Sequence, residues 1–98
     1  MPTTPSVLFV CVKNGGKSQM AAGLLRQAAG DTVTVDSAGT QPGTAVNALS
    51  AKSLAEVGVD ISGETPKAIT TQLARADVVV TLGRDARVDE VPGTRLEN

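Results

Sequence analysis

The chain has 98 residues, of which 41% are hydrophobic and one is aromatic, and its formal net charge is −1. These values suit one small globular domain over residues 1–98, and they argue against nucleic acid or an anionic membrane as a partner. The single cysteine excludes an internal disulfide, and the absence of histidine argues against a metal site. We find no export signal or membrane-spanning apolar run and expect a cytoplasmic protein.

The first predicted elements are a strand, a tight loop and a helix. Val7–Val12 is a continuous run of apolar strand formers, which is typical of a strand buried on both faces of a parallel sheet. Lys13–Gly16 interrupts the run with turn residues, and a helical pattern begins at Ser18 and ends at Gly30. The spacing predicts an apolar stripe of Met20, Leu24 and Ala28 on this helix, with Ala21 and Leu25 beside it.

The rest of the chain continues to alternate strands with helices. Three more strands are predicted, at Thr32–Asp36, at Val78–Leu82 and from Leu96 onward. Two more helices are predicted, at Thr70–Ala74 and at Asn47–Val57, the latter with Ala51, Leu54 and Val57 inward. The alternation predicts an α/β protein of three layers, with an open parallel sheet of about four strands and flanking helices.

One segment, Cys11–Ser18, combines the features of an anion-binding loop. It lies between a buried strand and a helix, where unpaired backbone N–H groups and the helix dipole attract anions. Its glycines let the backbone curl around an ion, and its lysines add positive charge. The same field favours a thiolate at Cys11. The residues predicted to surround an oxyanion are Val12, Lys13, Asn14, Gly15, Gly16, Lys17 and Ser18.

The separate features of this loop also have plainer explanations. A cysteine at the end of a buried strand is often only a small core side chain, and two glycines before a lysine can be no more than a turn. Their coincidence at the carboxyl end of a strand, where open parallel sheets bind ligands, favours a functional site.

The loop resembles the signature loop of the low-molecular-weight protein tyrosine phosphatase family, in which a cysteine precedes a basic residue and a serine at fixed spacing. Further segments that resemble the family are Asp36–Thr40, Gly58–Ser62, Pro66-Lys67 and Ala76–Thr81. The resemblance implies that Cys11 is the nucleophile and that Lys17 and Ser18 assist it catalytically, Ser18 by stabilising the thiolate. It also implies that Asn14 holds the loop by bonding to Ser37. The plainer interpretation is that Asn14 only occupies a left-handed turn and that Ser37 is an ordinary hydroxyl at the end of a strand.

Two departures from the phosphatase pattern indicate the arsenate reductase branch of the family. Phosphatases carry arginine, which grips two phosphoryl oxygens, where this chain has the point charge of Lys17. The run Asn14–Met20 is similar to that of actinobacterial arsenate reductases, which use the thiol mycothiol. Thioredoxin-coupled members have further cysteines where this chain has Gly83 and Glu90. The resemblance thus implies arsenate reduction without a bound cofactor, completed by mycothiol and a downstream redoxin.

Family members also run further, through an Asp-Pro loop that supplies a general acid and a final helix that packs on the sheet. We therefore expect a C-terminally short domain whose uncovered sheet face is buried in a homodimer, or a fragment of a longer protein. Three alternative functions stay open: a phosphate monoester hydrolase, a catalytically inactive anion-binding remnant, and a nucleotide-binding P-loop, which is disfavoured because Cys11 occupies the place of its first glycine.

Overall fold

The computed structural model describes residues 4–61, 63–70, 76–83, 86, 88 and 93–98. This part of the chain forms the strands β1 Ser6–Cys11, β2 Thr34–Gly39, β3 Val78–Thr81 and β4 Arg95–Glu97 and the helices α1 Lys17–Ala29 and α2 Ala48–Ala55. The strands are parallel and lie in the order β2-β1-β3-β4. The predicted fold class, an α/β protein with an open parallel sheet and flanking helices, is confirmed.

β1 is an interior strand of the sheet, as its apolar run predicts, and it pairs with both β2 and β3. Because successive side chains of a strand point to opposite faces, Leu8 and Val10 share one face, where they pack with Ala38 and Val79 and are 1% and 0% exposed. The residues that alternate with this set are half-buried: Val7, Phe9, Val78 and Val80. Within the described chain, one face of the sheet is therefore a closed core and the other is partly open.

The buried side of α1 differs from the predicted stripe. Of that stripe, Met20 is half-buried, Leu24 is 43% exposed and Ala28 is exposed. The buried positions are instead Ser18, Gln19, Ala22 and Gly23. A Cβ at Gly23 would lie 3.0 Å from side-chain atoms of both Val59 and Ile61, so small residues let α1 approach the segment after α2. The predicted period is right, but small and polar side chains mark the packed side.

The second strand begins later than predicted and ends beside the cysteine. Gly30–Thr32 forms a short 3-10 helix, in which the Thr32 hydroxyl donates to the Ala29 carbonyl at 2.7 Å. β2 therefore starts at Thr34, and its last residue, Gly39, is paired with Cys11 at the end of β1. The carboxyl ends of the two strands meet at the edge where the Cys11–Ser18 loop begins.

The second helix is shorter than predicted. Asn47 precedes α2 as its N-cap, and its Oδ1 accepts the Ser50 N–H at 3.1 Å. Leu54 is buried as predicted, whereas Val57 lies beyond the helix and is 59% exposed. The predicted Thr70–Ala74 helix lies mostly outside the described residues. No helix in the described segments is long and apolar enough to cross a membrane.

Candidate active site

The sulfur of Cys11 lies at the floor of the loop that joins β1 to α1. Cys11 is 7% exposed, and its Sγ accepts the Asn14 backbone N–H at 3.1 Å. The Ser18 Oγ, at the start of α1, lies 2.9 Å from the same sulfur. The loop thus returns on itself and places two polar groups against the cysteine.

The loop is held by the segment of residues 40–47, which we call the strap. Backbone N–H groups of the strap donate to four loop carbonyls: Thr40 to Cys11 at 3.0 Å, Gln41 to Val12 at 2.7 Å, Gly43 to Lys13 at 2.9 Å and Asn47 to Gly15 at 2.5 Å. In a trans peptide the C=O and the following N–H point in opposite directions. Because the carbonyls point to the strap, the amides that follow them point away from it, as the Asn14 N–H does toward sulfur. The carbonyl side of the loop is therefore held by the strap, and its amide side is turned away from the strap.

Two glycines permit the close contact between loop, strand and strap. A Cβ at Gly39 would lie 2.6 Å from the Val12 carbonyl oxygen and 3.0 Å from the Asn14 nitrogen. A Cβ at Gly15 would lie 3.0 Å from the Ala45 carbonyl oxygen. Any larger residue at Gly39 would force the loop backbone to shift.

A buried chain of hydrogen bonds leads from the Cys11 sulfur into the protein interior. The Asn14 Nδ2 donates to the Ser18 Oγ at 2.7 Å, and both residues are 0% exposed. The Asn14 Oδ1 accepts the Lys67 backbone N–H at 2.9 Å and the Gln19 Nε2–H at 3.3 Å. Since the Ser18 oxygen already accepts from Asn14, its own hydrogen is available to the Cys11 sulfur. We call Asn14, Ser18 and Cys11 the relay.

The predicted bond from Asn14 to Ser37 is corrected by these contacts. The bonds of the Asn14 side chain run to Ser18, Gln19 and Lys67. Ser37 is buried in β2, where its backbone N–H donates to the Asp36 carboxylate. The Lys67 segment takes the supporting role because it lies beside the end of β2, where the Lys67 carbonyl accepts the Gly39 N–H at 2.8 Å. Asn14 also has a φ of 53°, so it occupies the left-handed turn as well.

The rim of the loop carries its two lysines. Lys13 and Lys17 are exposed, and neither joins an ion pair among the described residues. They border an open pocket of about 640 Å³ that Cys11 also lines and that Gln41, Leu82 and Gly83 complete. The Lys17 Nζ lies 3.6 Å from where a Cβ on Gly83 would be. Across the described segments, no group of three or more His, Cys, Asp or Glu side chains could hold a metal ion.

The structure brings together all the predicted loop residues, from Cys11 to Ser18, and leaves Ser37 outside their bonding. Sequence analysis missed Gln19 and the Lys67 backbone as supports of Asn14. Glu90, named with Gly83 as a position where related enzymes have cysteines, lies outside the described residues. No sequence signal indicated Gln19, because the predicted stripe of α1 contained Met20, Leu24 and Ala28 and did not include it.

The fold and the loop define an α/β protein with a cysteine-centred loop at the carboxyl edge of its sheet. The family model described as low molecular weight phosphotyrosine protein phosphatase matches residues 6–94. The chain therefore belongs to that family, as the signature loop predicted.

Its similar relatives include several arsenate reductases. An arsenate reductase of Bacillus subtilis is 42% identical over 89 residues, which are 90% of this chain and 63% of that protein. A thioredoxin-dependent arsenate reductase of Corynebacterium glutamicum superimposes with a TM-score of 0.89 at 40% identity, over 95% of this chain and 47% of that one. An arsenate reductase in a phosphate-binding state gives a TM-score of 0.78 at 34% identity, over 91% of this chain and 67% of that one. The chain thus spans about half to two thirds of the length of these relatives.

Proposed function

We propose that the chain is an arsenate reductase in which Cys11 attacks arsenate held in the Cys11–Ser18 loop. The observation that carries this proposal is the position of the Cys11 sulfur, 3.1 Å from the Asn14 nitrogen and 2.9 Å from the Ser18 oxygen. A thiolate there is stabilised by nearby donors, and the loop amides that point away from the strap suit a tetraoxo ion. The similarity to arsenate reductases over most of the chain supports arsenate as the substrate.

In the first step, the Cys11 thiolate attacks arsenic. A sulfur–arsenic bond forms, one arsenic–oxygen bond breaks, and the departing oxygen leaves as hydroxide or, after taking up a proton, as water. Arsenic stays pentavalent, so this step needs no electron donor. The loop amides and Lys17 stabilise the remaining oxygens.

For the second step we propose a thiol from another molecule, because this chain has Gly83 and Glu90 where thioredoxin-coupled members carry further cysteines. The external thiolate attacks arsenic, a new sulfur–arsenic bond forms, and Cys11 leaves with its electron pair. We propose mycothiol for this role. A redoxin thiolate then attacks the mycothiol sulfur and forms a mixed disulfide with it, and the electron pair of the broken sulfur–arsenic bond reduces pentavalent arsenic to arsenite. Thioredoxin is the competing reductant, because the similar Corynebacterium enzyme depends on it.

A phosphate monoester hydrolase is the second candidate, because the family is described by its phosphatases. The lysine at position 17 favours arsenate over a phosphate ester. A single ammonium cannot grip two equatorial oxygens as a guanidinium does, and phosphoryl transfer depends on such positioning in its transition state.

Two further parts of the proposal concern the surroundings of the chain. A reducing cytoplasm suits the reaction, because Cys11 must stay a free thiol.

A homodimer would cover the half-buried sheet face around Phe9 and Val80. Sedimentation at varied concentration tests this association, and a monomer throughout would contradict it.

The test compares the parent chain with Cys11→Ser in arsenate reduction, with mycothiol or thioredoxin supplied, and in hydrolysis of p-nitrophenyl phosphate. We expect thiol-dependent arsenate turnover by the parent and none by Cys11→Ser, because a hydroxyl does not supply the nucleophile. Turnover by the variant would show that Cys11 is not the nucleophile. Ester hydrolysis without arsenate turnover would favour the phosphatase, and arsenate binding with neither reaction would favour an inactive remnant.

A further inference from the structure

Gln19 is a buried polar residue that the reaction outlined above does not use. It lies in the first turn of α1, and only 2% of its surface is exposed. Its Nε2 donates to the Asn14 Oδ1 at 3.3 Å and to the Thr65 carbonyl at 3.5 Å. The side chain therefore joins the relay to the segment between α2 and β3.

The orientation of both side-chain amides follows from their partners. The Lys67 backbone N–H can only donate, so the Asn14 atom that faces it must be oxygen. That oxygen and the Thr65 carbonyl are both acceptors, so Gln19 must turn its nitrogen toward them. The Gln19 Oε1 is consequently left, within the described residues, as a buried atom without a hydrogen-bond partner.

This arrangement does not favour stability. A buried acceptor without a partner is destabilising, and an apolar side chain of similar shape would avoid that cost. A buried polar group that lacks a partner calls for an explanation other than stability. At Gln19 the explanation lies in the bond that the side chain makes to Asn14.

The direction of that bond decides where the Ser18 hydrogen points. With its oxygen held by Gln19 and Lys67, Asn14 presents its nitrogen to the Ser18 oxygen. Ser18 then has its hydrogen available for the Cys11 sulfur. If the Asn14 amide turned over, Ser18 would donate to Asn14 instead, and the sulfur would lose its hydroxyl donor.

We infer that Gln19 is a positioning residue, which acts together with the Lys67 N–H to hold the orientation of Asn14 in which Ser18 donates to the Cys11 thiolate. The catalytic part of this inference rests on the proposed function. The inference predicts that Gln19 increases the reactivity of Cys11 without adding to the stability of the fold.

The test compares Gln19→Met with Gln27→Met, an exposed control position on the same helix. The Gln27 Nε2 also donates to a backbone carbonyl, that of Val57 at 3.4 Å, but it lies away from the relay. Three quantities are measured: thermal unfolding, the rate of Cys11 alkylation by iodoacetamide across a pH series, and kcat for arsenate.

For Gln19→Met we expect alkylation at neutral pH and kcat to fall about three- to tenfold, as for the loss of one hydrogen bond, while the unfolding temperature holds or rises. Gln27→Met should leave the alkylation rate and kcat unchanged. In an Asn14→Ala background, Gln19→Met should cause no further loss, because the group that it positions is gone.

Unchanged alkylation in Gln19→Met would overturn the inference, and so would a loss of alkylation that comes with a fall in unfolding temperature. If the parent chain shows no arsenate turnover, the proposed function fails while the alkylation comparison still decides the role of Gln19.

Discussion

The floor and the rim of the Cys11–Ser18 loop are built in opposite ways. On the floor, Cys11, Asn14 and Ser18 are 7%, 0% and 0% exposed and are bonded to one another. On the rim, Lys13 and Lys17 are exposed and join no ion pair within the described chain. Buried dipoles are already oriented when a ligand arrives, whereas exposed charges are mobile and screened. The comparison indicates that the floor sets the reactivity of sulfur and the rim sets the capture of the anion.

The largest effect should come from removing the space on which the floor depends. Gly39→Ala places a Cβ 2.6 Å from the Val12 carbonyl oxygen, so the loop backbone must move. We expect arsenate binding to be lost in calorimetry, together with about 1–3 kcal/mol of unfolding free energy, as for other overpacked sites. Gly63→Ala is the matched control, because a Cβ there meets nothing within 4 Å. Normal arsenate affinity in Gly39→Ala would mean that the loop geometry does not matter.

A second, smaller effect should come from reversing the direction of the relay without changing its shape. Asn14→Asp keeps an acceptor for the Lys67 N–H and tolerates the left-handed φ of 53°. It can no longer donate to Ser18, which then donates to the carboxylate and leaves the sulfur. The loss of a hydrogen bond to a charged group is worth about 1.5–3 kcal/mol, or roughly 10- to 100-fold in the alkylation rate of Cys11. An unchanged rate, with circular dichroism matching the parent, would refute the relay.

The smallest effect should come from the rim. Lys17→Met is expected to weaken arsenate binding roughly two- to fivefold, as for exposed charges, while the alkylation rate of Cys11 changes less than in the floor variants. Added salt should reduce the affinity of the parent toward that of the variant, because salt screens exposed charges. Titration of arsenate at low and high ionic strength measures both. If Lys17→Met abolished alkylation, the division between floor and rim would be wrong.

The part of the floor formed by residues close together in the sequence was predictable from the sequence. The segment Cys11–Ser18 contains the strand end, the glycines and the helix start within one short stretch, so its pattern indicated the cradle directly. The support of Asn14 was predicted to come from Ser37 and comes instead from Lys67, 53 residues away in sequence. That contact depends on a bridge between Gly39 and Ala68 beside the sheet, which no local pattern encodes.

In the fold, too, features set by neighbouring residues were predicted and features set by distant segments were not. The strand β1 was predicted because its residues are apolar on both faces. The prediction of the packed side of α1 was wrong because it followed the large side chains. In the structure Gly23 faces Val59 and Ile61 at distances that suit only a small residue. Hydrophobic spacing gives the period of a helix, but close approach by a distant segment decides which residues are buried.

The strap holds the cradle through main-chain atoms, and this leaves its side chains open to change, apart from Asn47, which caps α2. Proline is the residue excluded where an N–H donates, as at Gln41 and Gly43. The strap does contain a proline, Pro42, at the position between those two donors. Gln41 combines both roles, since its nitrogen holds the Val12 carbonyl while its residue lines the pocket. Substitutions at Gln41 could therefore change the side chains that line the pocket while the main-chain bonds keep the geometry of the cradle.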